Sequence, residues 1–462
     1  MNRVASRAAI AVLLALALIA GLGFFVAEYV TNAESWVMFE GSPHVYSGGN
    51  IGCGIVVERE GTILLDMNDG RTYAAKKALR KATVHWLGDR YGSISAPALT
   101  DHAGDLAGFD LLNGVYSYND EGGVAELTLS GSAQTAALKA MDGRKGTVAV
   151  YNYKTGELIC AVTTPNYDPD NVPDLDGDTS GKYEGLYVNR FTQSTYTPGS
   201  IFKIVTLGAA LEEFPDAEDM IFRCGGQLEL DSGKITCEKS HGKQTLKEAF
   251  ANSCNCAFAE LALKIGGEKM ERYVKAFGIL EPVTFDGVET TQGNYQAAGE
   301  QEIDIGWSGA GQFNDQINPC SFLHFVGAVA NGGKGATPYL VEQVTAGAAK
   351  TYSAKTRMGD QVFSKETAET IAAYMRNNVK NKYGDDNFPG LAVCAKTGTA
   401  EVGGDKKPNA MLAGFVADDE YPLAFIVCVE DGGYGAKVCL PIASQVLDAC
   451  VNAIKMGSKT VK

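Results

Sequence analysis

The sequence predicts an α+β protein: an antiparallel sheet flanked by helices with an all-helical subdomain, preceded by a small N-terminal α+β module and one transmembrane helix. Three observations predict it. Apolar strand-like segments cluster at 147–162 and 392–430, with a long stretch of helical character between them. One antiparallel sheet built from both ends, with helices stacked on it, is the simplest way to bury all those faces. An uncharged run of 20 residues, 8–27, lies near the N-terminus. Finally, 462 residues exceed what one core usually serves. With 45% apolar, 21% charged and 9% aromatic residues, the composition excludes disorder, a collagen-like fibre and a small disulfide-stapled scaffold. Forty Lys plus Arg against 55 Asp plus Glu give a net charge of -15, which repels phosphate backbones and argues against nucleic acid as a partner.

The elements follow in order. Residues 8–27 make a helix about 30 Å long at roughly 1.5 Å per residue, the thickness of a bilayer's hydrocarbon. Arg3 and Arg7 precede it, whereas no Lys or Arg follows until Arg59 and the flank carries Glu28, Glu34 and Glu40. The positive-inside rule therefore makes 1–7 a cytosolic tail and sets the rest outside a single-pass membrane anchor. The run exceeds the ~7–15 residues of a signal-peptide core, which favours a retained anchor over a cleaved leader. Residues 41–54 are Gly-rich; 55–66 read as strand, turn, strand; 73–87 as helix; 88–110 as loop; 119–123 as a turn cluster; and 124–129 as strand. A boundary near 126 makes 28–125 a linker and small module and 126–462 the main domain. There, 133–141 read as helix, and 147–153 and 157–162 as strands joined by Lys154-Thr-Gly. Strands at 392–402, 410–417 and 423–430 precede a helix with Ile442, Val446, Leu447, Cys450, Val451 and Ile454 on one stripe.

Eleven cysteines leave at least one thiol over. Cys224 and Cys237 bracket a hairpin-like stretch and form the best candidate pair, although spacing equally allows two unlinked thiols. Cys254 and Cys256 stand one residue apart and none of the five histidines falls in a ligand spacing, so no metal site and no cofactor is predicted.

The most informative segment is Thr197-Pro-Gly-Ser-Ile-Phe-Lys. The helix it opens is apolar nearly all round except at Lys203, which must snorkel out or sit desolvated with a lowered pKa. Ser200 lies one turn back at i−3, on the same face. A serine becomes a nucleophile when a neutral neighbouring amine takes its proton; a plain N-cap beside a snorkelling lysine is the alternative. Ser-x-x-Lys recurs at Ser240/Lys243 in a loop, Ser-x-Asn at Ser117/Asn119 and Ser253/Asn255, and Lys-Thr-Gly at Lys154 in a hairpin turn and at Lys396. What is specific is the ordered triple of Ser200/Lys203 opening a buried helix, Ser253-Cys-Asn255 after a helix-like stretch, and Lys396-Thr-Gly-Thr399 on a strand.

That triple resembles the penicillin-interacting serine transpeptidases, and the anchor with its short outer module is similar to the class B penicillin-binding proteins. Arg144-Lys-Gly-Thr-Val-Ala-Val, Pro165-x-Tyr-Asp-Pro169 and Ala330-Asn-Gly-Gly333 are also similar to the family. Arg59-x-Gly-x-Ile63 is similar to its pedestal, but the Asp-Arg-Asn-Gly that usually follows is replaced by Asp66-Met-Asn-Asp-Gly70. The resemblance implies a serine transpeptidase/β-lactamase-like fold and a membrane-anchored D,D-transpeptidase. Such an enzyme cross-links peptidoglycan stem peptides through a serine acyl-enzyme and is acylated by β-lactams. Ser200 attacks, Lys203 takes its proton, Ser253 relays a proton to the leaving amine, and Asn255 hydrogen-bonds Lys203 and substrate. Lys396 supplies a second cation that lowers the pKa of Lys203. Thr397, Gly398 and Thr399 bind substrate, and the Ser200 and Thr399 N–H groups form the oxyanion hole. About 100 residues before the main domain leave no room for a glycan-polymerising domain, so a separate membrane polymerase is the implied partner. A D,D-carboxypeptidase or β-lactamase-type hydrolase shares the acylation chemistry, and a non-catalytic β-lactam receptor or scaffold is the reading of another class.

Strand period adds one expectation. Lys396 and Gly398 face one way and Thr397 and Thr399 the other in a regular strand, so a shared groove predicts a local distortion at Gly398.

Overall fold

The computed structural model describes residues 2–460 except 40, 44, 69, 113, 116–121 and 405. The predicted anchor lies within a longer helix, Asn2–Val37, whose apolar side chains, Leu13 and Phe24 among them, are exposed. It is long and apolar enough to cross a bilayer. Its final turns rest on the small module: Ala33 is buried and the Tyr29 hydroxyl donates to the Leu111 carbonyl at 2.7 Å. Gly435–Met456 also has the length and apolarity of a span, but it is half-buried in the domain core.

The small module is a six-stranded sheet. Ile55–Glu58 and Ile63–Asp66 form the expected antiparallel pair, Thr72–Tyr73 extends it, and Val124–Leu127 lies parallel to Ile55–Glu58. Val341–Ala346 and Ala349–Ser353, from far down the chain, complete it beside Val124–Leu127. The predicted helix is present as Lys77–Leu87. Residues 88–110, expected as loop, contain the short helices Pro97–Asp101 and Ala103–Leu106. At five and four residues, neither is long enough to display a helical period. Most of the 119–123 turn cluster lies outside the described residues.

The main domain holds the predicted sheet, five antiparallel strands in the order Val393–Ala400, Asn409–Val416, Leu423–Val429, Gly146–Asn152, Leu158–Thr164. Both faces are covered. Val148, Val150 and Leu412 pack under helices Gly131–Met141 and Gly435–Thr460; Ala149, Tyr151, Met411 and Ala413 pack under Lys203–Glu213, Pro319–Ala330 and Lys365–Asn378. Two covered faces explain why these strands read as continuous apolar runs. The stripe Ile442 to Val451 is buried as expected, and Ser130 caps the Gly131 helix by accepting the Ala133 N–H.

The distortion expected at Gly398 is absent. Val393–Ala400 pairs with Asn409–Val416 in unbroken register from Val393↔Val416 to Ala400↔Asn409. Because it is the sheet's outer strand, side chains from both of its faces reach the groove along its free edge.

Candidate active site

Ser200 sits in a 3₁₀ turn, Gly199–Phe202, leading into the helix Lys203–Glu213. Ile204, Val205, Leu207, Ala209 and Ala210 bury that helix on all sides, and they carry Lys203 inside with them at 0% exposure. The Lys203 Nζ lies 2.7 Å from Ser200 Oγ, 3.0 Å from Asn255 Oδ1 and 3.3 Å from the Ala310 carbonyl oxygen. Burial lowers its pKa to about 7. The residue at the cap of the turn is Pro198 and that of the helix is Phe202, not Ser200, and Lys203 does not snorkel.

Ser253 and Asn255 flank Cys254 between helices Leu246–Ala251 and Asn255–Ile265. Ser253 takes a left-handed backbone at φ 53, a conformation that costs a serine of order 1–3 kcal/mol and marks a held loop. The Asn255 side chain is fixed on its other side by donating to the Thr236 carbonyl at 2.9 Å.

Lys396 is also fully buried, and its Nζ donates to Ser253 Oγ at 3.0 Å and to the Thr397 carbonyl at 2.9 Å. Burial first, and the charge of Lys203 second, hold its pKa well below the usual lysine value. Lys396 was expected to lower Lys203; in the structure burial does that, and the repulsion between the two ammoniums weighs on Lys396.

The strand lies directly on the Ser200 turn. A Cβ on Gly398 would meet the Pro198 carbonyl oxygen at 2.9 Å and Ile201 Cγ2 at 3.1 Å; one on Gly199 would meet the Thr399 carbonyl oxygen at 2.6 Å. The two glycines set how closely strand and turn approach. Tyr383, absent from the sequence reading, accepts the Thr397 N–H at 3.1 Å and meets Thr397 Oγ1 at 3.0 Å. Since the Thr397 N–H points away from the neighbouring strand, alternation along the strand turns the Thr399 N–H toward the groove as well.

These groups surround a groove of about 730 Å³ lined by Ser200, Ser253, Asn255, Thr397, Gly398 and Thr399, with Trp307, Phe313 and Tyr434 on its wall. Its chemistry is that of a serine beside a dry, near-neutral amine, with a second buried amine on the neighbouring hydroxyl.

The repeated motifs stand elsewhere. Ser240 Oγ donates to the Cys224 carbonyl while Lys243 is exposed on strand Gly242–Thr245. Lys154 pairs with Asp419 beside the hairpin turn. Ser117 and Asn119 lie outside the described residues. Cys224 and Cys237 are free thiols at the ends of a hairpin region built from Gln227–Leu230 and Gly233–Thr236. Linear spacing gave no metal pattern, yet the fold gathers Cys224, Cys237, His241 and Cys254, with ligand atoms all within 4.8 Å of one another.

The chain is also similar to known proteins in sequence and in fold. Residues 146–448 match the family described as the penicillin binding protein transpeptidase domain. The chain is 29% identical over 369 residues to the peptidoglycan D,D-transpeptidase PbpA of Mycolicibacterium smegmatis, covering 73% of this chain and 74% of that protein. It resembles the crystal structure of the D,D-transpeptidase domain of a peptidoglycan glycosyltransferase from Eggerthella lenta, with TM-score 0.75, 25% identity, and 87% and 98% of the two chains covered. Its fold also matches that of penicillin-binding protein A from M. tuberculosis in a cephalosporin acyl-enzyme complex, with TM-score 0.74, 23% identity, and 86% and 98% covered.

Proposed function

This chain belongs to the penicillin-binding protein transpeptidase family, and from that premise we propose that it is a membrane-anchored D,D-transpeptidase that cross-links peptidoglycan stem peptides and is acylated by β-lactams. One observation carries the reading: a fully buried amine, brought to about 7, lies 2.7 Å from the hydroxyl of Ser200.

In this reading Lys203 takes the Ser200 proton as Oγ attacks the carbonyl of the penultimate D-Ala. The tetrahedral oxyanion is received by the N–H groups of Ser200 and Thr399, each such donor being worth about 3–4 kcal/mol. Ser253, held by Lys396, passes a proton to the departing D-Ala amine, leaving the acyl-enzyme. An amine from a second stem peptide then attacks the ester and frees Ser200. Asn255 keeps Lys203 aimed, and Thr397, Gly398 and Thr399 present the free strand edge to the extended peptide.

Residues 8–27 cross the cell membrane with 1–7 in the cytosol, 28–125 together with the strands Val341–Ala346 and Ala349–Ser353 space the rest of the domain 126–462 from the surface, and a separate membrane polymerase supplies the glycan. The exposed apolar helix Asn2–Val37 and the basic-before, acidic-after flanks support this arrangement.

Labelling of the full chain with fluorescent penicillin tests the reading. Ser200→Ala abolishes labelling and Ser240→Ala spares it; labelling that survives Ser200→Ala moves the nucleophile elsewhere. Mass spectrometry of products from paired stem peptides, cross-linked or trimmed, separates transpeptidation from hydrolysis.

A further inference from the structure

We propose that Cys224, Cys237, His241 and Cys254 form a closed, tetrahedral site for a soft divalent cation, zinc first, that staples two hairpins to the Ser253–Asn255 loop and so holds the active site in its acylating geometry. The link to acylation rests on the transpeptidase reading; the metal site itself does not.

The four ligand atoms lie within 4.8 Å of one another. Zn–S bonds of about 2.3 Å and Zn–N bonds of about 2.0–2.1 Å imply S···S edges near ~3.8 Å and S···N edges near ~3.6 Å in a tetrahedron. Cys237 Sγ lies 3.7 Å from Cys254 Sγ, and Cys224 Sγ lies 3.5 Å from His241 Nδ1. A disulfide needs sulfurs about 2.05 Å apart. Three thiols and one imidazole are the donors of a structural zinc site, and four protein ligands leave no open position for catalysis. The Cys256 N–H donates to Cys237 Sγ at 3.3 Å, the kind of outer bond that supports a ligating sulfur. The Cys256 thiol is directed instead to the Ile235 carbonyl. Cys237 and His241 also line the groove, which gives a cation a way in.

A cation there joins segments that no shared sheet joins. Among the described residues Ile221–Cys224 pairs only with Gly242–Thr245, and Gln227–Leu230 only with Gly233–Thr236, in two separate two-stranded ribbons. Each ribbon packs against helices, with Phe222 and Ile235 buried, but no strand pairing among the described residues ties one ribbon to the other. Cys224 closes one strand of the first ribbon, His241 immediately precedes the other, and Cys237 follows the second ribbon. Cys254 sits between Ser253 and Asn255, and the Thr236 carbonyl beside Cys237 receives the Asn255 amide. A cation at this point fixes both sides of the loop that carries the Lys396 and Lys203 partners. Chain spacing hid the site because its ligands come from three separate segments, 224, 237–241 and 254.

The test uses the full chain in detergent, purified under reducing conditions without chelator. Elemental analysis is expected to find about one zinc per chain, and cobalt exchange to give the intense visible bands of a tetrahedral thiolate centre. Cys254→Ser and His241→Ala lower metal affinity by more than the roughly ten- to hundredfold that loss of an outer-shell partner costs, whereas Cys256→Ser keeps the metal. Stripping wild type with a strong chelator slows penicillin acylation by about ten- to a hundredfold, and zinc restores it. Ser200→Ala loses acylation but retains the metal, which keeps the two readings separable. Protein that takes up no zinc or cobalt when offered them in the reduced state, or a Cys237–Cys254 disulfide in freshly isolated metal-free protein, overturns the proposal. If ligand variants fail to fold, the metal content and cobalt spectrum of wild type decide alone.

Discussion

If Lys203 is the base, the rate of acylation must follow its titration. Burial brings its pKa from 10.5 to about 7. At neutral pH half of such an amine is unprotonated, against about 0.03% at the ordinary value, so burial raises the active fraction about 1,500-fold, close to 4 kcal/mol. The second-order rate constant for fluorescent penicillin is read by quenched-flow labelling from about pH 5.5 to 9.5. It should climb about tenfold per unit below pH 7, bend near 7 and stay level beyond 8. The penicillin carboxylate is already ionised throughout, so the bend belongs to the enzyme. A rate still climbing above pH 9 means an amine of ordinary basicity, and a flat profile means a different base; either result refutes the assignment.

Further outcomes follow from the same geometry. A lysine whose folded pKa is depressed contributes its full stability above 10.5 and loses it as pH falls toward 7, because the unfolded chain binds the proton more tightly over that window. Lys203→Met should therefore abolish labelling yet raise stability at neutral pH by about 1–3 kcal/mol, part of the ~4 kcal/mol being offset by the lost bonds to Ser200 and Asn255. Denaturant titration checks this, and a less stable variant refutes it. Gly398→Ala sets a methyl 2.9 Å from the Pro198 carbonyl oxygen and 3.0 Å from Met411 Cβ. It should lift the strand from the Ser200 turn, cost about 1–3 kcal/mol and slow labelling at least about tenfold; unchanged labelling removes the close-approach argument. Tyr383→Phe takes the partner from the Thr397 N–H and should lower thermal stability by about 1–3 kcal/mol while slowing acylation. Acylation at the wild-type rate shows that Tyr383 does not position the edge strand.

Much of this was legible because the signals were local. Strand and helix periods run over a handful of residues, so the five-stranded sheet, the helix behind Ser200 and the Gly435–Thr460 helix could be read along the chain. The Ser200, Ser253 and Lys396 motifs carry their own spacing. What escaped depends on pairing across long separations. Val341–Ala346 completes the small module beside Val124–Leu127, with Thr345 opposite Val124, and nothing in either segment names the other. Tyr383 reaches Thr397 from the end of a π-helical turn, Val379–Tyr383, and the four proposed metal ligands are drawn together only by folding. The distortion expected at Gly398 failed for another reason. Period alone says which way a side chain leaves a strand, whereas at a free edge a long lysine from one face and threonines from the other border the same space.

The two buried lysines also show why their hydrogen-bond partners are not acids. The described partners of Lys203 and Lys396 are hydroxyls, a side-chain amide and backbone carbonyls, none of them a carboxylate. A carboxylate within about 4–6 Å would stabilise the folded chain by neutralising a buried ammonium, but it would raise the amine's pKa by about 1–3 units. At neutral pH each unit removes about nine-tenths of the unprotonated base. Neutral hydrogen-bond partners instead leave desolvation as the largest influence on the pKa of Lys203, opposed by the nearby Cys237 and Cys254 thiols, and Lys396, itself unable to stay charged easily beside it, makes a second proton on the pair still harder to hold. The dryness of the crevice is thus the source of the reactivity, and a substitution that admits water beneath Ser200 should slow acylation even where every motif residue stays in place.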